Sequence, residues 1–215
     1  MGKPALLVID MQNDFCLPGA PFEVRDGLSV VPRILTLIKA FRAHRLPVIY
    51  VIREHRPDGS DVEITRRERF VKVGGAFIPG THGYALVDGL VPAPGEPIVR
   101  KTRWSAFHKT ELEALLRGQG VEVGVLTGVQ TPNCIRSTAF DANALDFEVV
   151  VSTDACGASD QAVHEANLRD LAGIGVQLAS TRELIEALPD GLGRGLRALR
   201  DRPITAAPDR GGAPR

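Results

Sequence analysis

Short strand-like runs, several of them apolar throughout, recur along this chain, and the segments between them carry apolar residues at helical spacing. The runs fall at residues 5–9, 47–52, 98–101, 123–126, 147–152 and 176–179. A strand that is apolar throughout, not at alternate positions, must be covered on both faces, as in a parallel sheet. Between the runs, Ile34, Leu37, Ile38 and Phe41 share one helical face behind Ser29, and Leu112, Leu115 and Leu116 follow a Thr110–Glu113 capping-box pattern. Residues 159–172 read as a further helix, and Ser180 with Glu183 opens another over Leu184, Ile185 and Leu188. Strands alternating with helices define right-handed βαβ units. The expected fold is therefore α/β, a three-layer α/β/α arrangement around a six-stranded parallel sheet.

At 215 residues, with 44% hydrophobic and 24% charged, the chain can build its core without staples. One domain over 1–199 is expected, followed by a Pro-, Gly- and Arg-rich tail over 200–215. The net charge of zero points to neither nucleic acid nor an anionic membrane as a partner. No apolar run is long enough to span a bilayer. Asp10 interrupts the first run too early for a signal peptide, so a cytoplasmic location is expected. The three cysteines, Cys16, Cys134 and Cys156, are far apart and form no CxxC pair, which disfavours a disulfide framework and a structural zinc site. Residues 53–97 are rich in glycine, proline and charge; so long a connection suggests a lid or binding loop, the alternative being a solvated excursion with a short helix in it. A homo-oligomer, dimer or tetramer, is expected, against whose neighbouring subunit the tail could lean.

The chemistry concentrates at strand ends. In VGVLTGVQTPNCIRSTAFDANAL, residues 123–145, an apolar strand is broken at Gly128, Thr131 suits a helix N-cap and Pro132 the first helical position. Cys134 then lies in the first turn, where amide donors and the helix dipole lower a thiol pKa. The alternative is a cysteine that merely packs. Asp10 ends the first strand and Lys101 the third. Each has a plain reading, a turn aspartate and a solvated lysine. Yet carboxylate, amine and thiol all fall on the carboxyl edge of the sheet, where doubly wound folds bind their ligands. Together they supply a base, a cation and a nucleophile for acyl transfer.

The motifs LLVIDMQNDF, KTRWSAF and GVQTPNCIRSTAFDANALDFEVVVSTDA, in that order, resemble the isochorismatase-like cysteine hydrolases. These include nicotinamidases, N-carbamoylsarcosine amidase and ureidoacrylate hydrolases, and the resemblance covers residues 5–188. It implies a Rossmann-like six-stranded sheet and an Asp–Lys–Cys triad on Asp10, Lys101 and Cys134. It also implies a cis peptide between Val129 and Gln130, with the backbone N–H groups of Gln130 and Cys134 as oxyanion hole. Phe15, Trp104, Phe107 and Val129 are candidates to line a substrate pocket; core packing is the alternative for them. Nicotinamidases carry a metal site built from Asp-x-His after the second strand plus a further His. Here the stretch reads Arg53-Glu54-His55 without the second His, so no metal and no other cofactor is expected.

The cysteine favours a small amide, carbamoyl or ureido substrate cleaved at a C–N bond through a thioester. A vinyl-ether hydrolase using Asp10 as general acid is the competing enzyme, and a non-catalytic binding module on the same fold is the third reading. Arg53, Arg56, Arg66, Arg67 and Arg69 are candidates to grip a substrate carboxylate.

Overall fold

The structure, a computed structural model, describes residues 2–189 and 192. The 200–215 tail lies outside them. The elements in chain order are β1 (Lys3–Ile9), α1 (Asn13–Cys16), α2 (Val31–Ala43), β2 (Val48–Arg53), α3 (Ile64–Lys72), β3 (Ile98–Lys101), α4 (Leu112–Gly118), β4 (Val121–Val129), α5 (Arg136–Ala144), β5 (Glu148–Gly157), α6 (Gln161–Gly173), β6 (Gln177–Ala179) and α7 (Thr181–Ala187). All six strands are parallel, in the order β3-β2-β1-β4-β5-β6. The order reverses between β1 and β4, which makes a switch-point crevice at their carboxyl ends.

Each strand divides its side chains between two apolar layers, since neighbouring residues point to opposite faces. Leu6 and Val8 of β1 join Ile34, Leu37 and Phe41 of α2 and Leu184 of α7 on one side. Leu7 and Ile9 join Leu112 and Leu116 of α4, Ala139 of α5 and Leu171 of α6 on the other. This double coverage is why the strands read as continuous apolar runs.

Several boundaries differ from the sequence expectation. Gly128 does not break β4; it lies inside it, opposite Ile9 and Cys156. Its φ is +107°, and a Cβ there would lie 2.0 Å from the Ile9 carbonyl oxygen, so only glycine allows β1 and β4 this close. Asp154 does not end β5, which bulges and continues to Gly157. Asp154 Oδ1 accepts instead from the Thr181 backbone N–H at 2.7 Å and hydroxyl at 2.8 Å, tying β5 to α7.

Of the expected caps, Ser180–Glu183 forms the full box. The others are displaced because local carbonyls compete for the hydroxyls. Ser29 donates to Asp26 O, and Val30 precedes α2. Thr110 donates to Ala106 O, and Glu111 precedes α4. Asp160 caps α6, accepting from Val163 N–H at 2.9 Å, so the helix starts at Gln161, two residues later than expected. Two helices, α1 and α3, carried no clear periodic signal.

Candidate functional site

Asp10 is the first residue beyond β1, in a left-handed conformation with φ +55°. That backbone is costly for a non-glycine residue and is held by the Asp10 N–H bond to Val51 O at 2.8 Å. Lys101 ends β3, two strands away. The two side chains meet in full burial: Lys101 Nζ donates to Asp10 Oδ2 at 2.7 Å and to Arg103 O at 3.0 Å. A buried carboxylate stays charged only with such a partner.

Cys134 comes from the segment after β4. The Val129–Gln130 peptide is cis. The turn that follows, Thr131–Ile135, is wider than an α-helical one, since Ile135 N–H reaches Gln130 O at 3.3 Å and Arg136 N–H reaches Thr131 O. Gln130 therefore stands where Thr131 was expected as cap, and Thr131 is the first residue of the turn. The Thr131 side chain is turned inward, 2.8 Å from His164 Nδ1 and 3.1 Å from Gly157 O, which fastens the turn to α6 and β5.

The thiol is not acidified. Burial and the Asp10 carboxylate push Cys134 above its ordinary pKa, against the pull of Lys101 and Arg53. The expected lowering assumed that dipole and amides dominate; in a sealed site the lost hydration of the thiolate outweighs them. Cys134 thus rests as a thiol. Cys16 is raised as well, to about 12, by burial and Asp10.

Arg53 ends β2 and is brought into the same cluster. It is 0% exposed. Nη1 donates to Glu63 Oε1 at 2.8 Å and Thr102 O at 3.2 Å, while Nη2 lies 3.8 Å from Cys134 Sγ. Burial opposes its charge, but Cys134, Asp10 and Glu63 together hold its pKa above the ordinary value. Glu63, just before α3, would be raised by burial, yet Arg53 holds it below the usual carboxylate range. Gln12 sets the backbone here: its Oε1 accepts from Arg53 N–H at 2.7 Å, and its Nε2 donates to Arg53 O and Tyr84 O, both at 2.9 Å.

The 54–97 arm packs on the segment that follows β1 and reaches the cluster through Glu63. Asp14 Oδ2 accepts from Phe77 N–H at 2.6 Å, and Asn13 N–H donates to Ala85 O at 2.9 Å. Phe77 packs on Phe15 and Phe22, with ring centroids 4.3 and 5.4 Å away. His55 lies edge-on to Phe70 and Phe77. Its Nδ1 is 3.3 Å from Asp61 Oδ1, close enough for an ion pair but without hydrogen-bond geometry. Among the described residues no group of three or more His, Cys, Asp or Glu could hold a metal ion, and the buried Arg53 guanidinium stands in the stretch where nicotinamidases place a ligand. This donor set does not fit a metal.

The other expected positions separate. Phe15 is buried under the arm against Phe77. Phe107 stacks on Phe147 at 5.9 Å against the second apolar layer, and Val129 packs in the first. Trp104 is 41% exposed. Sequence reasoning missed Gln12 and Glu63. Gln12 could have been noticed as a polar residue directly after a buried strand; Glu63 has no distinguishing signal.

A buried carboxylate–amine pair and a buried thiol at the switch point of a doubly wound α/β sheet define the class: a Rossmann-like α/β fold with its polar cluster at the carboxyl ends of β1, β3 and β4. An isochorismatase domain matches residues 4–183, and the chain belongs to the isochorismatase family. It is 46% identical to a probable inactive nicotinamidase of Arabidopsis thaliana, over 86% of this chain and 95% of that protein. It is 32% identical to the ureidoacrylate amidohydrolase RutB of Methylorubrum extorquens, over 77% of this chain and 75% of that protein. The crystal structure of an isochorismatase family protein from Desulfovibrio vulgaris superposes with a TM-score of 0.84 at 46% identity, covering 90% of this chain and all (100%) of that one. The fold expectation is thus met. No helix among the described residues is long and apolar enough to cross a membrane.

Proposed function

We propose that this protein hydrolyses a C–N bond in a small amide, carbamoyl or ureido compound, with Cys134 as nucleophile. The observation that carries the reading is the sealed Lys101–Asp10 pair beside a protonated Cys134 thiol. Asp10 takes the proton from Sγ as the sulfur attacks the substrate carbonyl carbon and the C–S bond forms. The N–H groups of Gln130 and Cys134 receive the oxyanion. On collapse the C–N bond breaks, and the proton held by Asp10 passes to the leaving nitrogen, which departs as ammonia or an amine. Water, deprotonated by Asp10, then cleaves the thioester and restores the thiol. Lys101 holds Asp10 in place through their 2.7 Å contact between these transfers. The amidohydrolase relative supports C–N cleavage, and the intact Asp, Lys and Cys support turnover despite the relative named as inactive.

The test is an acid quench of the enzyme with a panel of small amides and ureas, read by mass spectrometry and ammonia release. A Cys134 adduct with stoichiometric ammonia is expected, and Cys134→Ala should abolish both. Pyruvate release from isochorismate without either signal would replace this reading with vinyl-ether hydrolysis.

A further inference from the structure

Four buried side-chain atoms among the described residues lack a hydrogen-bond partner: Asp10 Oδ1, Arg53 Nε, His55 Nδ1 and Glu63 Oε2. All four belong to residues of this one cluster. Buried polar groups are nearly always paired, so such a concentration marks a place built to receive a polar ligand.

Arg53 specifies which kind. Glu63 and Thr102 O engage Nη1 only. A guanidinium offers Nε–H and Nη2–H side by side as a fork that matches the two oxygens of a carboxylate. In Arg53 that edge holds the unpaired Nε and the Nη2 that lies 3.8 Å from Cys134 Sγ. The guanidinium cannot swing away, because its backbone is clamped by Gln12 and its far side by Glu63. A second guanidinium, Arg66 of α3, lies over the Phe22 ring at 4.7 Å; burial and Arg53 both press on its charge.

We propose that the Nε–Nη2 edge of Arg53 is the subsite for a substrate carboxylate, so that a fixed guanidinium selects acids whose carboxylate lies a few bonds from the scissile carbonyl. This rests on Cys134 being the attacking atom. The ligand enters by displacement of the 54–97 arm, since Arg53 and Asp10 are 0% exposed and Cys134 2%.

The experiment needs no turnover. Cys134→Ala protein is titrated calorimetrically with acid and carboxamide pairs, N-carbamoylglycine with N-carbamoylglycinamide and oxamate with oxamide. At least one acid should bind at least tenfold more tightly than its carboxamide. Arg53→Gln in the same background should erase that preference, and Arg53→Lys, the fallback if the glutamine variant does not fold, should retain only part of it. If no acid outbinds its carboxamide, or if Arg53→Gln weakens both members of a pair equally, the subsite is refuted. Acid-selective binding without ammonia or a Cys134 adduct from any wild-type reaction would instead uphold the subsite and overturn C–N hydrolysis.

Discussion

Acidification should destabilise this protein through His55 in a calculable way. The ring is 3% exposed, sits edge-on to Phe70 and Phe77, and shares its surroundings with the Arg53 guanidinium. Burial first, then Arg53, lower its pKa from 6.5 to about 4, outweighing the upward pull of Asp61 and Glu63. The folded state therefore binds the proton less readily than the unfolded state. Between pH 6.5 and 4 the unfolded chain carries that proton and the folded one does not, so stability falls as pH falls through this window. Each pH unit costs about 1.4 kcal/mol, which sums to about 3 kcal/mol over the full interval. The assay is urea unfolding of the wild type and His55→Gln at half-unit steps from pH 7 to 4. The glutamine keeps a polar group but no titration, so the difference between the two proteins isolates His55. His164 is also lowered, by burial, and slopes the same way, but it cancels in that difference. The wild type should lose about 1.4 kcal/mol per unit relative to the variant. A difference that stays flat below pH 6.5, or grows in the wild type's favour, would refute the reasoning.

Lys101→Met should cost about 3–5 kcal/mol in urea unfolding, because it leaves the buried Asp10 carboxylate without its counter-charge. Adding Asp10→Asn should recover much of the loss; a double variant as unstable as the sum of the singles would show that the pair is not coupled. Iodoacetamide should label Cys134 before Cys16 or Cys156, and the rate should still climb between pH 8 and 9, because the thiol sits above its ordinary value. A rate plateau below pH 7, read by peptide mass spectrometry, would show a lowered pKa and contradict the burial argument.

The sheet was legible because parallel strands covered on both faces leave an unmistakable trace. Every run expected as a strand lies within or overlaps one. Helix starts were less legible, since a serine or threonine hydroxyl chooses between an amide ahead and a carbonyl behind. Ser29 and Thr110 both chose the carbonyl, and only the final backbone path decides that. Asp10 and Lys101 were found through a topological rule about strand ends, which needs no side-chain geometry. The thiol pKa was misjudged because the rule for helix starts assumes hydrated ends, whereas Cys134 is sealed beneath the arm.

Arg53 was visible only as one of five arginines near the start of a long connection. What separates it from Arg56 or Arg67 is burial, and burial here follows from contacts distant in sequence. Gln12, next to β1, holds its backbone; Glu63, before α3, holds one end of its guanidinium; the turn after β4 brings Cys134 to the other. Three segments that share no local pattern thus convert a surface-type residue into a fixed interior cation. The same contacts explain why the protein retains so costly an arrangement. A buried guanidinium paired to Glu63 alone would be replaceable by apolar residues with little loss of stability. Here Nε has no partner and Nη2 lies 3.8 Å from Cys134 Sγ, so one edge of the guanidinium is turned toward the thiol, which packing alone does not require.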